Sequence, residues 1–164
     1  MGRNVYIHKF DPAAENGTRS FPLSDVREAL KAIGDPFFKE WGVDGEDGGG
    51  SIETGERIPY TLPDGRVDFG SSTDTFRFTV KNGQVNSLDW DRPLGREGTI
   101  RALWHLIEIH RLSLIDPSCG EDLPMLYVLS EACLEDVEQV WPGCRESGVH
   151  VFSGYEDFRS HFES

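Results

Sequence analysis

Cysteine is scarce in this sequence: three residues, Cys119, Cys133 and Cys144, among 164. The number is odd and no pair stands at C-x-x-C spacing. That argues against a disulfide framework or a zinc finger, and for a reducing cytoplasmic setting. Long apolar runs are missing as well. None approaches the roughly 20 residues that span a bilayer. The opening stretch, MGRNVYIHKFDP, lacks the apolar segment of a secretory signal. No membrane contact is expected. There is no Walker loop, no G-x-G-x-x-G and no G-x-S-x-G elbow. Positive charge is also short: 16 basic side chains stand against 29 acidic ones, a net charge of −13 at pH 7. Such a field repels a phosphate backbone, so nucleic acid is not an expected partner.

What is present suits a folded core. The chain has 37% apolar residues, 18 glycines, and 10 Phe, 4 Trp and 4 Tyr. Its length fits one domain over 1–164. The acidic excess is uneven. Residues 35–56 are net −6 and residues 116–164 net −9, while 1–34 and 57–115 are each net +1. An acidic, Gly-rich loop at 35–56 and an acidic C-terminal extension at 124–164 are therefore expected on a near-neutral body.

Periodicity places the elements. Val5–Phe10 reads as a first strand. Ser24 is a candidate N-cap for a helix over 25–33, in which Val26, Leu30 and Ile33 form one stripe. Arg57–Leu62 and Arg66–Phe69 flank the turn sequence Pro63-Asp64-Gly65. Thr75–Trp90 predicts a hairpin: Phe76, Phe78 and Val80 alternate, and Asn82-Gly83 fits a type I′ turn. A helix over 96–112 carries apolar residues around most of its circumference, leaving Arg101, His105 and Glu108 as a narrow polar stripe; Trp104 is an expected core anchor. Ser113–Asp116 and Met125–Leu129 read as short extended segments. Ser130 caps a helix over 131–141. Gly148–Phe152 is a strand, and Ser153–Glu156 has the form of a capping box for a last helix. The expected fold is α+β: an antiparallel sheet of about five strands with helices mainly on one face, an order that admits a ferredoxin-like arrangement, plus the C-terminal strand and helix extension.

Motifs for chemistry are weak. His105, Glu108 and His110 do not match H-E-x-x-H or its inverse. The acids of 44–56 fail the EF-hand frame. Cys119 or Cys144 as nucleophile with His150 or His161 as base finds no support in spacing. Gly95–Thr99 precedes a helix and has room for a single phosphate at its N-terminus. Asp89, Asp91 and Asp116 are the better set: if their strand ends converge, they form the carboxylate cluster of a metal-dependent hydrolase. Glu131, Glu135 and Glu138 fall at i, i+4 and i+7 on one helix face with no Lys or Arg in that helix.

Two functions follow as expectations. The first is an acidic binding module that neutralises or regulates a basic protein, as immunity or antitoxin proteins do, and not an enzyme; it docks through Glu131, Glu135 and Glu138 with Tyr155 or Phe158 as apolar anchors, and needs no cofactor. The alternative is the hydrolase at Asp89, Asp91 and Asp116.

Overall fold

The computed structural model describes residues 4–31, 37–41, 48–91, 96–117 and 124–163. The class is α+β, with four helices and a mostly antiparallel sheet. Strand β1 (Asn4–Phe10) sits near its middle, antiparallel to β8 (Ser87–Asp91) and to β9 (Ser113–Asp116). Beyond β8 follow β6 (Val67–Lys81), β5 (Gly48–Thr61) and β4 (Phe37–Trp41). Beyond β9 follow β10 (Met125–Val128) and, parallel to it, β11 (Gly148–Val151). Short strands β2 (Thr18–Arg19), β3 (Phe21–Pro22) and β7 (Gln84–Val85) pair off this path.

Among the described residues the sheet has eleven strands, not about five. One added strand, β4, and the first part of β5 fall in the stretch expected to be a loop; the others are the short β2, β3 and β7 and the strands β10 and β11 of the expected C-terminal extension. Phe37–Trp41 and Gly48–Thr61 are strands, registered from Phe37 opposite Gly55 to Trp41 opposite Ser51. Three glycines at 48–50 carry no side chains, so a period of two has nothing to alternate. Their hydrogen bonds to β6 hold them in the sheet instead. Asp44 to Asp47 of that expected loop lie outside the described residues.

The 75–90 hairpin forms as its residues require. Asn82 and Gly83 have φ of 53° and 72°, the pair of positive values that a type I′ turn demands. Phe76, Phe78 and Val80 are buried beside Trp90. One feature was not legible: Val80 faces Val85 and Arg77 faces Asp89, so the return strand holds one extra residue, a bulge around Asn86. The bulge lets β7 meet β3 while β8 meets β1.

Three helices cover one sheet face: α1 (Leu23–Lys31), α2 (Glu97–His110) and α4 (Tyr155–Phe162). Their buried Val26, Leu30, Ile100, Leu103, Ile107, Phe158 and Phe162 share one core with Val5, Ile7, Leu88 and Trp90 from the strands. Helix α1 begins at Leu23, so Ser24 lies inside it and is not its cap. Trp104 is half-buried, stacked on Phe158 at 5.4 Å and edge-on to Phe152 at 5.7 Å. The fourth helix, α3 (Glu131–Val140), lies on the opposite face. Its Cys133, Leu134 and Val137 meet Leu126 and Val128, the residues that flank Tyr127 and point away from it along β10. Ser130 caps α3, its hydroxyl accepting from the Cys133 N–H at 3.3 Å. Helix α3 packs on the β1 and β10 part of that face.

No helix among the described residues is long and apolar enough to cross a membrane.

Candidate functional site

The sheet's pleat decides the fate of the three aspartates. Asp89 and Asp91 are two apart on β8, and Asp89 faces Tyr6 on β1. Tyr6 in turn faces Ile115 on β9. Side chains opposite each other share a face and neighbours along a strand do not. Asp116, next to Ile115, therefore belongs to the other face, where it is fully buried. The carboxylates do not converge, and the expected three-aspartate metal centre is not assembled. Asp89 and Asp91 instead share the sheet face that carries α3, Asp91 held by Arg77 at 2.8 Å. Burial pushes the Asp89 carboxyl above the usual range, with Arg77 opposing and Asp91 adding to the rise.

The start of α2 does not form an anion site either. Its N-cap residue Arg96 gives its guanidinium to the Thr54 carbonyl at 2.7 Å and lies 3.8 Å from the buried Asp74 carboxylate. A phosphate there would meet the Asp74 carboxylate beside Arg96; Gly95, the first residue of the expected stretch, lies outside the described residues.

The glutamate stripe stands on the outer side of α3. Glu131 and Glu135 are exposed and Glu138 half so, while Leu134 and Val137 face the sheet. No base lies within the helix, but one reaches it from outside. Arg145, in the 3-10 turn Cys144–Glu146, bonds Glu131 at 3.1 Å and Glu138 at 2.7 Å. Those two bonds, Glu138 first, hold the Arg145 guanidinium above its ordinary pKa. Sequence spacing along one helix has no means of finding a cation fourteen residues from its partner. Glu135, between the two clamped residues, has no ion-pair partner among the described residues.

The expected apolar anchors fare differently. Phe158 is fully buried, stacked on Trp104 and edge-on to Phe152, and is not available to a partner. Position 158 lies on the side of α4 that packs on the sheet, with Phe162 four residues on, so the expected anchor is part of the core instead. Tyr155 is half-buried, with Arg101 over its ring at 5.0 Å and its hydroxyl turned inside. Trp141, the residue that ends α3, is the half-buried aromatic next to the stripe.

Of the cysteines, Cys133 and Cys144 are free and buried, and Cys119 lies outside the described residues. Burial, followed by the Glu138 charge, raises the Cys144 thiol pKa. Cys133 lines a cleft of about 220 Å³ with Lys9, Phe10, Asp11, Arg111, Ser113 and Asp136. The cation beside it, Arg111 at 3.6 Å, comes from the left-handed residue that ends α2.

A further cluster was not singled out from sequence as one group. His150 on β11 and Asp157 and His161 on α4 bring their donor atoms within 4.8 Å of one another. Asp157 Oδ2 is 2.7 Å from His150 Nε2 and accepts from the Ser153 N–H at 2.9 Å; its Oδ1 is 3.5 Å from His161 Nε2. The Ser153 N–H and then His150 hold the Asp157 carboxyl below the usual range. Here the expected capping box is replaced. Gly154 is the N-cap, and Asp157, three residues on, reaches back to the preceding N–H.

Comparison with protein-family models finds no match for this chain, and neither curated proteins nor solved structures yield a significant one.

Proposed function

We propose that this protein is a binding module of the immunity or antitoxin kind, which docks a basic protein on the outer face of α3. The observation that carries this reading is the exposed row Glu131, Glu135 and Glu138 within a segment, 116–164, of net −9. Aligned carboxylates speed encounter with a cationic surface and reject anionic ones. Arg145 holds two of the three, but exposed ion pairs contribute little and exchange readily. A guanidinium or ammonium of the partner can replace it, while Glu135 stands open from the start. Charge alone gives rate more than affinity, so an aromatic anchor is needed. Trp141 supplies it in place of Phe158. The partner is a protein because the same field that draws lysine and arginine repels nucleic acid.

The test is capture from the native extract at low salt, using the whole chain and a variant with Glu131, Glu135 and Glu138 all changed to Gln. A protein of net positive charge, retained by the first and lost by the second, is expected. The same proteins retained equally by both would overturn the proposal.

A further inference from the structure

We propose that His150, Asp157 and His161 form a binding site for one divalent transition-metal ion of the Zn²⁺ type, which ties strand β11 to helix α4. The donor set is two imidazoles and one carboxylate, the mixture that suits Zn²⁺ and its first-row neighbours better than Mg²⁺ or Ca²⁺, which prefer all-oxygen sites. The inference is independent of the docking face on α3.

The geometry is close to what such an ion needs. A tetrahedral ion with bonds of about 2.0–2.1 Å sets its donors about 3.4 Å apart. The carboxylate oxygens of Asp157 lie 2.7 Å and 3.5 Å from the two Nε2 atoms, and the imidazole centroids are 4.3 Å apart. Small side-chain rotations bring three donors around one centre. Asp157 and His161 are i and i+4 on α4 and so share its face. His150 reaches them from the edge strand of the sheet.

The surroundings hold the donors in place. The Ser153 N–H orients the carboxylate from behind. The Tyr127 ring meets both imidazoles edge-on, at 6.0 Å from His150 and 5.4 Å from His161, and is itself stacked on Phe152 at 5.6 Å. One wall is thus apolar and packed. The other side is open: the side chains of His150 and His161 are 32% and 35% exposed. An ion can enter, and three protein donors leave a fourth position for water. Both imidazoles bind through Nε2, so the proton that His150 shares with Asp157 leaves as the metal arrives.

The experiment uses the full chain stripped with chelator, and Co²⁺ and Zn²⁺ as probes. One equivalent of Co²⁺ is expected to give the visible d–d absorption of a four-coordinate nitrogen and oxygen site, displaced by Zn²⁺. Zn²⁺ is expected to raise Tm, since an ion that binds only the folded state stabilises it. His161→Gln and His150→Gln should each abolish both signals, whereas His105→Gln, on the exposed face of α2, should keep them. Should His150→Gln fail to fold, His161→Gln alone decides, being the more peripheral position. No saturable absorption, equal signals in His161→Gln, or a thiolate charge-transfer band from Cys133 or Cys144 would each overturn the proposal.

Discussion

Phe158 shows how one residue can change sides. It lies at 0% exposure between Trp104, Phe152 and Phe162, with ring centroids 5.4, 5.3 and 5.2 Å away. Truncating such a ring removes apolar contact and leaves a cavity, so Phe158→Ala should cost about 3–5 kcal/mol by chemical denaturation. An unchanged denaturation midpoint would mean the ring is outside. Asp89 makes a prediction of the opposite sign. Its folded pKa is raised by burial, so its stabilising contribution is complete below the unfolded value of about 3.9 and is lost as pH rises through the folded value. Asp89→Asn should therefore raise Tm at pH 7 and leave it unchanged near pH 3. Arg77 does not lose its partner in this variant, because Asp91 remains 2.8 Å away. A Tm lowered at pH 7 would show that Asp89 makes a favourable contact when charged.

Among the elements, those with strong local signals were legible in the sequence. Asn82-Gly83 set a turn that few other residues can adopt, and the alternation of Phe76, Phe78 and Val80 set its register. Helices α2 and α3 lie within two residues of their expected bounds; α3 starts where the Ser130 side chain caps it, and α2 ends at Arg111 in the left-handed region. Strands without alternation were not legible, whereas β1, whose partners β8 and β9 are far off in sequence, was read from its own pattern. Strand β4 pairs with β5, and the glycines of β5 carry no pattern. The candidate sites divide in the same way. The Glu131–Glu135–Glu138 row follows from helical spacing, whereas the Arg145 clamp and the His150–Asp157–His161 cluster need two elements to meet. Gly17 makes such a meeting testable. Its φ is +77°, and a Cβ there would lie 2.5 Å from a Val140 methyl at the end of α3. Gly17→Ala combines backbone strain with that clash and should cost more than about 1 kcal/mol. If the variant is as stable as the parent, α3 does not rest on the turn at 11–17.

At the scale of the whole molecule, charge and layering act together. Among the described residues, helices α1, α2 and α4 pack on one face of the sheet and α3 on the other, and α3 turns Glu131 and Glu135 outward. The net charge of −13 keeps such a chain dispersed and gives it a long-range preference among partners. That preference is screened over about 8 Å at physiological ionic strength. The most direct measurement is the affinity between this protein and the basic partner it retains, at low and high salt. The parent chain and the variant with Glu131, Glu135 and Glu138 changed to Gln are measured side by side. A partner steered and held by the α3 row should bind the parent more weakly as salt rises, by roughly tenfold or more. It should bind the variant weakly at low salt, with little further salt dependence. Equal affinities and equal salt slopes for the two proteins would contradict docking on α3.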